Sequence, residues 1–158
     1  MTGLIEGVAG NAIWSAISAT ARRLVGRQIV ITGPRPQETL SGGEPLGGGL
    51  CFPVRGTLKG LANNQEIWLL TQDETTGLVW PQGFFPVQFD PERGTWMGKI
   101  DGSGRKQVKI VAVVAPPTSQ DLFRYFQALG PKRNYQFEPL QRVPVECTNR
   151  DSVQAFLP

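Results

Sequence analysis

The 158-residue chain contains no histidine. Its absence removes the side chain most used as a general base near neutral pH, the base of Ser-His-Asp arrangements, and the commonest zinc ligand. Cysteine is almost as scarce. Only Cys51 and Cys147 occur, far apart and outside any CxxC spacing, so neither a disulfide framework nor a thiolate metal site is expected, and a reducing compartment is the simpler reading. Charge is sparse as well: 18% of residues are charged, the formal net charge is +3 and the pI is near 9.1. A nucleic-acid protein is betrayed by basic residues clustered on one face, which a bias this small does not indicate. Residues Met1 to Glu6 lack the basic start of a secretory signal, and no small-residue cleavage site follows an uninterrupted apolar run. The expected location is therefore cytoplasmic. No repeat of 20 to 50 residues and no sustained heptad is present, which excludes a solenoid.

Turn formers, by contrast, are abundant. Glycine (19) and proline (13) together make about a fifth of the chain, where an average chain has about 12%. Many turns imply many short strands, and from Leu50 onward the hydrophobic period is two. Leu50, Phe52 and Val54 alternate with Cys51, Pro53 and Arg55, and Trp96, Gly98 and Ile100 repeat the pattern; Glu66 to Thr71 is a compact apolar run. Gln107 to Val114 reads as a central strand, apolar on both faces after Lys109. A last strand is predicted over Arg142 to Thr148, its Pro144 suiting a sheet edge. By alternation Cys51 and Cys147 fall in different layers, so no disulfide joins them. One short helix is predicted near residues 118–129, opened by a capping box of Thr118 and Asp121 and closed by Gly130-Pro131. The expected fold class is mainly β, a sandwich with an N-terminal helix and this one short helix.

Three regions follow. Residues 1–27 form a helix in which apolar or small residues recur in pairs, with Gly3-xxx-Gly7 and Ala12-xxx-Ala16 permitting close approach of another helix. Residues 28–49 hold a first strand and then a Gly/Pro-rich linker whose composition favours disorder. Residues 50–158 are the sandwich domain.

Several residues invite a chemical reading. The run Asp101-Gly102-Ser103-Gly104-Arg105-Lys106 has the glycine amides and cations of a phosphate-binding loop, but Gln107 and a strand follow where a hydroxyl residue and a helix are required. It is read as a hairpin turn. Asp90, Glu92 and Asp101 lie in turns without the register of a calcium loop, so no metal and no cofactor are expected. Trp68 and Trp96 suit a core; Trp80, followed by Pro81-Gln82-Gly83, is the tryptophan expected to make a partly exposed contact. Arg105, Lys106 and Lys109 on one hairpin, with Arg124, Lys132 and Arg133 around the late helix, are the candidate basic surface.

The order Val54-Arg55-Gly56, Ile67-Trp68, Trp80-Pro81-Gln82 and Gly94-Thr95-Trp96, followed by a valine-rich strand and a helix, resembles the small immunoglobulin-like accessory modules of bacterial signalling and anti-phage conflict proteins, including the prokaryotic YEATS-like group. The resemblance runs over about Leu50 to Leu129. It implies an immunoglobulin-like sandwich that recognises or scaffolds and does not catalyse.

The expected function is thus binding. No catalytic residue is assigned. Leu4, Ile5, Val8, Ala12, Ile13, Trp14, Ala16 and Ile17 are the assembly residues, expected to bury against a second copy or a protein partner, while Trp80, Arg105, Lys106 and Lys109 are the candidate ligand contacts. Two alternatives stay open: a nucleotide or small-ligand sensor in which Arg105, Lys106 and Lys109 contact phosphate, and an effector peripheral to a membrane through its N-terminal helix.

Overall fold

The computed structural model describes residues 28–46, 49–82, 86–102, 106–132 and 138–158. The expected helix at the N-terminus, with its eight assembly residues, lies outside the described residues. Within them the chain forms β1 (Ile29–Gly33), β2 (Glu44–Leu46), β3 (Gly49–Leu58), β4 (Glu66–Gln72), β5 (Val79–Gln82), β6 (Gln88–Asp90), β7 (Thr95–Asp101), β8 (Gln107–Ala115), the helix α1 (Pro117–Lys132) and β9 (Arg150–Phe156). The strands make two antiparallel sheets packed as a β-sandwich. One has the order β1-β3-β7-β6 with β2 paired to β3, and the other the order β5-β4-β8-β9.

Alternation builds the core between the sheets. Phe52, Val54 and Leu58 of β3 and Trp96 and Ile100 of β7 face Ile67 and Leu69 of β4 and Val108, Ile110, Ala112 and Val114 of β8. Gly56 and Trp96 are cross-strand neighbours, and the indole lies over the glycine, where a Cβ would come within 2.3 Å of the ring and 2.0 Å of the Val30 carbonyl oxygen. The Trp96 Nε1–H donates to the Thr57 carbonyl at 3.1 Å, so the buried ring keeps its polar atom satisfied.

A second core covers the opposite face of the β5-β4-β8-β9 sheet. Leu70, Val79, Val111, Val113 and Ala115 pack against Phe123 of α1 and against Leu140, Val143 and Cys147 of the segment that follows it. Trp68 also belongs on this face, with its ring 5.1 Å from that of Phe123 and its Nε1–H donating to Glu66. Both faces of β8 are therefore buried, which is why it reads as a nearly continuous apolar run.

Four expectations are corrected. The last strand is Arg150–Phe156, while residues 142–148 are irregular. Val143 and Cys147 point into the second core, but Val145 is 65% exposed, because the chain turns at Pro144, whose carbonyl accepts the Cys147 N–H at 3.1 Å. The linker is not disordered over its described part. The Gln37 N–H donates to the Gln154 carbonyl, the Leu40 N–H donates to that of Phe156 and the Phe156 N–H donates to that of Glu38, so residues 37–40 lie along the free edge of β9. Backbone bonds of this kind leave no trace in hydrophobic periodicity. The helix begins at Pro117, a residue suited to a first turn, so Thr118 is inside it and not its cap. The Gln120 side chain, in the first turn, donates to the Ala115 and Asn64 carbonyls and so ties the helix start to β8 and to the loop before β4. Finally, α1 runs through Gly130-Pro131 to Lys132 instead of stopping before them. The two cysteines are free and buried, Cys147 in the second core and Cys51 in neither core, although the strand alternation predicted around Cys147 is not formed. Among the described residues no helix is long and apolar enough to cross a membrane.

Substituting Gly56 by alanine is expected to lower the urea unfolding midpoint, at a cost of about 1–3 kcal/mol or more, since both obstructing groups are held by the sheet. Gly60, with φ of 74° and open space around it, is the control for backbone conformation alone: its alanine variant is expected to lose less.

Candidate functional site

The third layer covers only part of the outer face of the β5-β4-β8-β9 sheet. Beside the second core, a cleft of about 780 Å³ opens between that face and residues 142–148 of the segment that follows α1. The register states what the floor presents. Gln72 pairs with Lys109, Val111 with Ser152 and Val113 with Arg150, so these six side chains share the outer face. The segment above contributes Arg142, Val143, Val145, Cys147 and Thr148.

Three cations therefore border one space: Lys109 at one end of the floor, Arg150 at the other and Arg142 above. None of the three makes an ion pair with a carboxylate among the described residues, whereas Arg93, Lys99 and Arg124 each sit beside one, at Asp90, Glu44 and Glu66 respectively. Asp151 also borders the cleft, but it stands opposite Ala112, whose side chain faces the inner core, and its Oδ2 accepts the Ile31 N–H at 3.0 Å. That carboxylate serves the junction of β1 with β9.

Cys147 closes the inner wall. Burial pushes its thiol above the ordinary value of 9.0; the Ser119 hydroxyl beside it opposes this without full hydrogen-bond geometry, Glu146 adds to it and Arg150 opposes it. The thiol is therefore protonated at neutral pH and acts as a small apolar wall atom.

A smaller cavity of about 410 Å³ lies between β4, α1 and the chain entering β6, lined in part by Leu61, Trp68, Val87 and Phe89. Its charged groups are committed to one another: Glu66 accepts from both Trp68 Nε1 and Arg124 Nη2. It offers apolar surface and one uncommitted polar group, the buried Gln127 amide nitrogen, but no uncommitted charge.

Of the contacts predicted from sequence, the fold brings only Lys109 into the larger cleft. Lys106 is exposed ahead of β8 and borders neither cavity, and Arg105 lies outside the described residues. Trp80 is half-buried on β5 and lines neither cavity. Arg124 is held by Glu66 and Asp121, Lys132 ends α1, and Arg133 lies outside the described residues. The sequence reading missed Arg142, Arg150 and Ser152. The signal available for Arg150 and Ser152 was the alternation of polar residues with Val153 and Ala155, masked by the stronger valine pattern just upstream. Among the described residues no cluster of three or more acidic, cysteine or histidine side chains is placed to hold a metal ion. No protein-family model matches the chain, and no curated protein matches it.

The raised Cys147 value has a thermodynamic consequence. The fold binds this proton more tightly than the unfolded chain does, so the contribution is complete below pH 9.0 and is lost as pH rises through the higher native value. Urea unfolding from about pH 8 to about pH 10 is expected to show a shallower loss of stability in Cys147→Ala than in the parent chain. Equal slopes would mean that the thiol titrates alike in both states.

Proposed function

We propose that this protein is a non-enzymatic recognition module, an immunoglobulin-like sandwich whose contact site is the cleft between the outer face of the β5-β4-β8-β9 sheet and residues 142–148. The observation that carries the reading is the meeting of Lys109, Arg142 and Arg150 around one solvent-open space, without carboxylate partners among the described residues. Cations left in that state at the mouth of a cleft are available to a ligand, and an open polar floor lets it enter without rearranging the core.

The strand orders support the immunoglobulin-like part. β1-β3-β7-β6 follows the A-B-E-D order of such domains, and β5-β4-β8-β9 follows C′-C-F-G. Two features depart from the antibody pattern. No disulfide links the sheets, and the tryptophan of the strand in the C position, Trp68, faces α1 instead of the inner core. The helix and the cleft wall both belong to the connection between the last two strands, so the insertion that covers the sheet also builds the site. The likeness to bacterial accessory modules fits this reading: such a module contributes recognition. Residues 1–27, with their small-residue stripe, are the segment proposed to assemble it with itself or with a protein partner.

Two-dimensional amide NMR of the full chain against a chemically diverse fragment library tests the site. Shift changes are expected to concentrate on residues 109–111, 142–148 and 150–152 and to vanish in Ser152→Trp, which fills the exposed floor. Hits that gather instead around Trp68 and Phe89, or an absence of any binding in the cleft, would overturn the reading.

A further inference from the structure

We infer that the cleft takes a small organic ligand bearing two or more phosphate-type anionic groups, such as a diphosphate. The inference rests on the cleft being the recognition site and adds its chemistry. Lys109 and Arg150 are on one face but at opposite ends of the floor. Arg150 is paired with Val113, four residues along β8 from Lys109, a separation of about 13 Å along the strand. Two long, flexible side chains so placed reach inward over the floor from opposite ends and can meet adjacent anionic groups lying between them. Arg142 reaches the same space from above, and a guanidinium offers the paired donors that match phosphate oxygens.

Between the cations the floor carries neutral hydrogen-bonding groups, the Ser152 hydroxyl and the Gln72 amide, with Thr148 on the wall. Valines complete it: Val111 below, Val143 and Val145 above, a surface for the uncharged body of a ligand. The volume, about 780 Å³, falls within the range of about 300–1,000 Å³ of small-molecule sites.

An acidic peptide is the competing occupant, and the edges of this sheet disfavour it. Extended peptides are commonly held by adding a strand to an open sheet edge. Here residues 37–40 bond along β9, and Leu140 exchanges both backbone hydrogen bonds with Val79 of β5. A ligand resting on the face must then be held by side chains, which suits a compact polyanion.

Isothermal titration of the full chain with inorganic phosphate, pyrophosphate, ADP and hexaglutamate decides the matter. Pyrophosphate and ADP are expected to bind at least about tenfold more tightly than phosphate, and ADP more tightly than pyrophosphate if the valines receive the organic body. Arg142→Gln and Arg150→Gln, both at exposed positions, are each expected to weaken that binding at least about tenfold, while Lys106→Gln, outside the cleft, leaves it unchanged. Diphosphate binding that ignores Arg142 and Arg150 overturns the inference. So does tighter binding of hexaglutamate, which would assign the cleft to an acidic peptide. Neutral fragments in the cleft with no diphosphate binding overturn the ligand chemistry and leave the recognition reading standing; an empty cleft under every probe removes both.

Discussion

Burial of β8 on both faces is the constraint from which the rest of the architecture follows. Its even-numbered residues, Val108 to Val114, fill the core between the sheets, and its odd-numbered residues, Val111 to Ala115, need a cover of their own. A two-layer sandwich leaves one of those faces in water. The chain supplies the cover in the connection to the next strand, as α1 and the segment from Leu140 to Cys147, which turns the sandwich into three layers over part of its area. The cover ends where the apolar run ends: Lys109 is the first outward residue of β8 beyond the valines, and the cleft begins there. The site is thus the margin of a core, and its mixed lining of valines and cations reflects that position.

Closure of the sheet edges is the second organising feature. The N–H groups of Ile29 and Ile31 on β1 are accepted by the Asn149 and Asp151 side chains at the entry to β9. Gln82 at the end of β5 accepts the N–H of Asp101 on β7 at 2.8 Å, which ties the two sheets together at a second place. With residues 37–40 along β9 and Leu140 against β5, the β5-β4-β8-β9 sheet exposes little unpaired backbone. Edges protected in this way resist association with other chains. Under the proposed reading, contact through the sandwich is made by side chains on a face, and the electrostatics of that face set what it attracts.

Much of the fold was legible in order of hydrophobic contrast. The alternation in β3 and β7, the double-faced run of β8 and the helix after Pro116-Pro117 are strong periodic signals. Weak signals misled. Residues 142–148 alternate apolar and polar as a strand does, yet Pro144 and the need to seal the second core make them a turn-containing strap. The true last strand, with only Val153 and Ala155 inward, has a pattern too faint to outrank it. That one exchange hid Arg150 and Ser152 from the site, since their shared face with Lys109 exists only in the register between β8 and β9. Residues 37–40 were hidden for a different reason: their order comes from backbone bonds to β9, for which composition has no signature.

What the amino-acid sequence determined by itself is local or periodic: short strands, inward and outward faces, a helix with one buried face and no histidine chemistry. These depend on the side chains of a segment and on the pleat or pitch they occupy. What tertiary structure decided is adjacency. The two sheet orders, the third layer over one face only, and the gathering of Lys109, Arg142 and Arg150 from three separate segments around one cleft all arise from pairings between residues distant in the chain, and each is a choice among registers that local pattern leaves equivalent.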